Sequence, residues 1–184
     1  MKTKLKLFEQ FLYHDIDEDE KVEEYLDNSL PMIGLIVMNF NYLEQRLDSY
    51  LCKFFTDRTD SMGLIVLHKM NYSAKVDLFK RFIENFHLAI DYEIPKYNEL
   101  LNDLRESGRL RNLVVHADWF NTENDCFTYV NLKVSKKGMQ QEYIQFSTDS
   151  LGKIITLINE TNKDLESYWE LYEDAIANYS NIKN

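Results

Sequence analysis

Glycine and proline are scarce, five and two in 184 residues, and no Ser/Gly/Pro-rich stretch interrupts the chain. Flexible linkers and low-complexity segments are therefore not expected, and no internal repeat is visible. The only cysteines, Cys52 and Cys126, stand far apart with no ligand partner nearby, which argues against a disulfide framework or a metal knuckle and reads as two buried thiols. Long apolar runs are missing too. The longest, "LPMIGLIVM" from Leu30 to Met38, is about half the length of a membrane span and has polar flanks, so it reads as a core helix with no membrane partner. The opening "MKTKLKLFEQFLYH" starts basic like a signal peptide, but Glu9, Gln10 and His14 break its apolar region and no small-residue cleavage site follows. A cytoplasmic location is the expectation.

Positive charge is in deficit: the formal net charge is −10, which opposes non-specific adhesion to nucleic acid or anionic membrane, so any nucleic acid has to be met by a local site. Part of the acid excess lies in "DIDEDEKVEE", Asp15 to Glu24, read as a solvated loop and first helical turn. No glycine-rich phosphate loop, Cys-x-x-Cys or nucleophile elbow is present. His14, His68 and His87 share no ligand spacing and read as surface or satisfied histidines, so neither a metal nor another cofactor is expected.

What is abundant is apolar and aromatic surface, 45% and 14% of residues, enough for one compact domain spanning 1–184 with its core at about 30–177. A first amphipathic helix is expected from about Lys4 to Tyr13, followed by the acidic link. Ser29 then reads as an N-cap with Pro31 in the first turn of a long helix whose apolar residues recur through Ile33, Ile36, Phe40, Leu43, Leu47, Leu51 and Phe54, until "TDRTDS" breaks it. "MGLIVLHKM" is too short to classify by period. Ser73 begins a helix with Val76, Phe79, Ile83 and Phe86 on one face, and another runs from about Pro95 through Trp119. From Cys126 to Phe146 the pattern alternates, "CFTYVNLKV" and "QEYIQF" joined around Gly138, which predicts a β-hairpin. A last helix begins near Asp149, and its "YWELY" aromatics read as core packing. The sum is a mainly all-α fold, a helical bundle with a β-hairpin inserted before the last helix.

Three polar residues intrude on the apolar helix "LRNLVVHADW". At about 100° per residue, Leu100, Leu101, Leu104, Gly108, Arg111 and Val115 form one stripe, so Arg111 points inward, while Asn112 and His116, four apart, share a neighbouring face. Leu110, Leu113 and Val114 make the opposite side apolar, which predicts a second subunit there. Glu44 shows the same anomaly among Phe40, Leu43 and Leu47. Either it pairs with Arg111, since a buried charge needs an opposite one, or it bends out to water at the edge of its stripe.

The spacing of Arg111, Asn112 and His116, R-N-x3-H, resembles the R-x4-H signature of the HEPN superfamily. The acidic residue on the long helix ("NFNYLEQRLDSYL"), the "KMNYSAKVDLF" segment, the motif on a later helix, the hairpin and the closing helix resemble that family's bundle over about Leu30 to Ala177. The resemblance implies an antiparallel helical bundle that forms a homodimer with the two motifs across a cleft. It implies a metal-independent endoribonuclease acting on tRNA or single-stranded RNA, as a toxin or an antiphage, abortive-infection effector, with a nucleotidyltransferase-like antitoxin as candidate partner. Arg111 and His116 would be the catalytic pair, Asn112 their companion and Glu44 the carboxylate that braces the arginine. The chemistry agrees: histidine moves protons near neutral pH, and the forked guanidinium suits a phosphorane-like transition state. The acidic charge and the lack of a visible basic stripe keep a second reading open, a non-catalytic interaction module in which Arg111 and His116 only cap and bridge helices.

Overall fold

In a computed structural model, residues 1–7, 19–55, 61–122, 126–136 and 138–183 are described. Among these the chain forms β1 (Lys2–Leu7), α1 (Asp19–Lys53), α2 (Ser61–Leu67), α3 (Tyr72–Ile90), α4 (Tyr97–Val115), β2 (Asp118–Thr122), β3 (Phe127–Ser135), β4 (Gly138–Gln145) and α5 (Thr148–Lys183). It is mainly helical, with one small antiparallel sheet. Two compact units are present: Met1–Val37 with Leu110–Ile155, and Met38–Arg109 with Thr156–Asn184. Helices α1, α4 and α5 each contribute to both.

The second unit is helical. The 3.6-residue period of α1 brings Phe40, Leu43, Leu47 and Leu51 to one face, α3 adds Val76, Phe79 and Ile83, α4 adds Leu100, Leu101 and Leu104, and α5 adds Ile158, Leu165 and Trp169, all essentially buried. Two glycines let helices approach closely. A Cβ on Gly63 would stand 2.7 Å from Cys52 Sγ, and one on Gly108 would stand 2.7 Å from the Tyr72 ring, whose hydroxyl donates to the Leu104 carbonyl at 3.0 Å. The "YWELY" aromatics do pack as core: Trp169 stacks on Tyr50 at 4.5 Å, and Tyr168 and Tyr172 are buried. Helix α3 starts one residue before Ser73, with Asn71 as its N-cap accepting from the Ala74 amide.

The first unit holds the sheet, in the order β1-β4-β3-β2. The expected hairpin is there: β3 and β4 pair antiparallel, with Gly138 at φ +105° beside the turn. Two of its strands are corrections. Where an N-terminal helix is expected from Lys4, Lys2–Leu7 is instead a strand along β4, with Lys4 opposite Tyr143; its ladder partners, Gln140 to Gln145, are remote in sequence. Residues 8–13 of that expected helix, His14, the first part of the acidic run and the "TDRTD" break lie outside the described residues. The helix expected to run through Trp119 ends at Val115, because the Trp119 indole donates to the Val114 carbonyl at 2.9 Å and Asp118–Thr122 pairs with β3. Helix α1 begins at Asp19 rather than at Ser29, so Ser29 is a buried interior residue and Pro31 sits inside the helix. The unclassified "MGLIVLHKM" supplies all of α2 but its first residue, Ser61.

Candidate functional site

Helix α4 ends within the first unit, and its last turn carries Arg111 and Asn112, with His116 the first residue beyond it. The His116 amide closes the final helical turn on the Asn112 carbonyl at 3.0 Å, and two residues further along that turn the Val114 carbonyl is taken by Trp119. Carbonyls left over at a helix end are thus satisfied by the turn itself and by an indole. Trp119 is fixed in turn by its rings' neighbours, Phe146 at 5.1 Å and Tyr25 at 6.0 Å between centroids. His116 therefore has an anchored backbone and a solvent-exposed ring, since Ala117 after it is buried while His116 and Asn112 are exposed.

Arg111 is half-buried: its Nε is out of reach of solvent, and Nη1 donates to Asn112 Oδ1 at 2.9 Å. Asn112 thus fixes one end of the guanidinium fork. Five positions of helix rotate by about 140°, so a half-buried Arg111 and an exposed His116 are what the R-x4-H spacing itself produces. The inward stripe weakens at its end, with Val115 37% exposed. On the opposite side the expectation of an apolar face left over for a second subunit does not hold. Leu110 is 7% exposed and Val114 fully buried within the single chain, and of the three expected residues Leu113 alone is half-buried.

Glu44 lies in the second unit, half-buried on α1, and its cation is Lys75: Nζ stands 2.8 Å from Glu44 Oε1 and 2.8 Å from Asp48 Oδ2. Burial works against the Lys75 ammonium, but the hydrogen bonds to Asp48 and Glu44 outweigh it and hold its pKa above the usual lysine value. Burial raises the Asp48 carboxyl in spite of Lys75, consistent with a second oxygen that is buried without a partner. The expected choice for Glu44, pairing with Arg111 or bending out to water, is corrected by this residue: Glu44 pairs with Lys75. Its signal was in the sequence, because Lys75 stands four residues before Phe79 on the apolar face of α3.

The remaining candidates separate clearly. Cys52 is buried and Cys126 only half-buried, correcting one of the two expected buried thiols. His68 is exposed. His87 is a satisfied histidine: its Nε2 accepts from the Ile94 amide at 3.2 Å and lies 3.1 Å from the Tyr168 hydroxyl, with Tyr97 edge-on at 5.0 Å. Burial lowers its pKa against the pull of Glu93 and Glu84. Among the described residues no group of three His, Cys, Asp or Glu side chains is placed to hold a metal, and no helix is long and apolar enough to cross a membrane.

Comparison with family models, curated proteins and solved structures finds no match to the chain.

Proposed function

We propose that the chain is a metal-independent endoribonuclease of the HEPN type, with Arg111, Asn112 and His116 as its site. The observation that carries the reading is the combination at the end of α4: an exposed histidine on an anchored backbone, and an arginine whose fork is oriented by the intervening asparagine. Neutral His116 takes the proton of a ribose 2′-OH. The 2′-oxygen attacks the adjacent phosphorus, the bond from phosphorus to the 5′-oxygen breaks, and that oxygen takes a proton, leaving a 2′,3′-cyclic phosphate and a 5′-hydroxyl. Arg111 faces the charge that builds on the phosphoryl oxygens, and its planar fork suits this better than a lysine.

Taking one proton and delivering another is most simply divided between two histidines, so the reading includes a homodimer in which His116 of each copy serves one cleft. The contact would use the exposed residues at the end of α4, Asn112, Val115 and the following His116, at positions i, i+3 and i+4, because Leu110 and Val114 are already buried. Glu44 enters as a support of the helical core, held by Lys75. The biological role consistent with such an activity is a toxin or antiphage effector, working in the cytoplasm and restrained by a cognate antitoxin.

Purified protein incubated with tRNA and with single-stranded RNA in EDTA tests this. Cleavage is expected, with His116→Ala slower by a factor of about 10²–10⁴. Equal cleavage by His116→Ala would remove the histidine from the mechanism, and no cleavage by the unmodified protein on any RNA would favour the non-catalytic module.

A further inference from the structure

Within the second unit, the turn after α3 and the C-terminal half of α5 enclose two hollows that share Pro95 and Leu171. The larger, about 460 Å³, is walled mainly by Ile90, Tyr92, Ile94, Pro95 and Leu171, with Asp174 on its lining. The smaller, about 230 Å³, is lined by Glu99, Asp103 and Asp164 against a single cation, Lys96. The larger falls within the usual range of ligand-sized pockets, roughly 300–1,000 Å³. Its apolar walls nevertheless meet water, since Tyr92 is 56% and Leu171 45% exposed, so it is a surface trough and not a closed cavity.

We propose that this trough docks a segment of a partner protein that presents apolar side chains next to lysine or arginine. The apolar part fixes half of that chemistry and the charge fixes the other half. Glu99, Asp103 and Asp164 come from two different helices, α4 and α5, and none of them is in an ion pair among the described residues. Burial and the neighbouring Asp164, Glu99 and Glu160 all push the Asp103 carboxyl above its usual range, so these like charges stand together at an energetic cost. A cation delivered into the smaller hollow relieves that repulsion while its apolar neighbours fill the larger one. The net charge of −10 adds long-range attraction for such a segment. The trough is also preformed: His87 ties Ile94 of one hollow to Tyr168 of the other through a single ring nitrogen, so little ordering remains to be done on binding.

The probe is a fluorescent Leu/Lys amphipathic peptide of about 16 residues, titrated against the full chain in about 0.15 M salt and followed by anisotropy. Saturable binding is expected, weakened about tenfold or more by Asp164→Lys and by Leu171→Ser, both exposed positions, and changed less than about threefold by Glu20→Lys. Glu20→Lys makes the same charge change as Asp164→Lys in the other unit. Equal weakening by Glu20→Lys would reduce the effect to net charge and overturn the proposal, as would the absence of saturable binding. Self-association of the unmodified chain that Leu171→Ser abolishes would make a second copy the occupant and overturn it as well. None of these outcomes bears on RNA cleavage, whose residues lie elsewhere.

Discussion

At the scale of single residues, a buried lysine and a half-buried histidine make opposite demands on the fold. Lys75 bonds both Glu44 and Asp48, so Lys75→Met leaves two part-buried carboxylates facing each other. A loss of about 3 kcal/mol is expected from such one-sided removal, read by denaturant unfolding, and adding Glu44→Gln with Asp48→Asn should recover more than half of it. Additive losses in the triple variant would mean that the three groups do not act as a unit. His87 works through protons. With Nε2 accepting from the Ile94 amide, the neutral ring carries its hydrogen on Nδ1, and a proton on Nε2 would confront that donor. Its folded pKa lies below the ordinary value near 6.5, so as pH falls below that value the unfolded chain takes up a proton that the folded chain refuses. Its contribution to stability is therefore complete above about 6.5 and is lost as the pH drops toward the folded value. Melting temperatures between about pH 7.5 and 5 should fall more steeply for the unmodified protein than for His87→Gln; parallel curves would show that His87 does not couple folding to pH. Of these residues Glu44 was legible as a charge on an apolar face, whereas Lys75 went unread although its position four before Phe79 gave the same signal.

At the scale of elements, what could be read depended on whether the information was local. Helices α3 and α5 and the β3–β4 hairpin follow from period, caps and a turn glycine, all contained in a short window. Strand β1 was hidden because its partner β4 is remote in sequence, so the alternation in "KTKLKL" was outweighed by a loosely helical apolar spacing. The end of α4 was hidden for a different reason: apolar spacing does not register that a tryptophan just beyond the helix caps it and that β3 claims the residues after it. That cap is what gives His116 a fixed backbone. Trp119→Phe keeps the ring packing but removes the bond to the Val114 carbonyl, so a loss of about 1 kcal/mol is expected together with faster hydrogen exchange at the His116 amide. Unchanged exchange there would mean that the last turn holds without the indole. Gly108, correctly read as part of the core stripe, carries a firmer expectation. A Cβ would enter the Tyr72 ring at 2.7 Å, and Gly108→Ala should destabilise by about 1–3 kcal/mol despite its better helix propensity. Greater stability on that substitution would show that the ring can move aside.

At the scale of the whole molecule, the apolar side of α4 expected to meet a second subunit is largely buried within the single chain, with Leu110 and Val114 buried and Leu113 half-buried. Leu113→Glu is accordingly expected to destabilise the chain, and Val115→Glu, on the exposed last turn, to be the substitution that separates two copies. Light scattering of the unmodified protein should give about twice the monomer mass and Val115→Glu a monomer; a monomer without any substitution would leave His116 to move both protons alone. The mainly helical fold and its hairpin were legible from the sequence, as was the motif itself, but the division into two compact units and the pairing of β1 with β4 depend on segments remote from one another in sequence. The central claim, that His116 and Arg111 cut RNA without a metal, is tested most directly by the ends it leaves. RNA treated with the protein in EDTA should carry 2′,3′-cyclic phosphate and 5′-hydroxyl ends that are absent with His116→Ala. Products with 5′-phosphate ends, or identical products from the unmodified protein and His116→Ala, would contradict it.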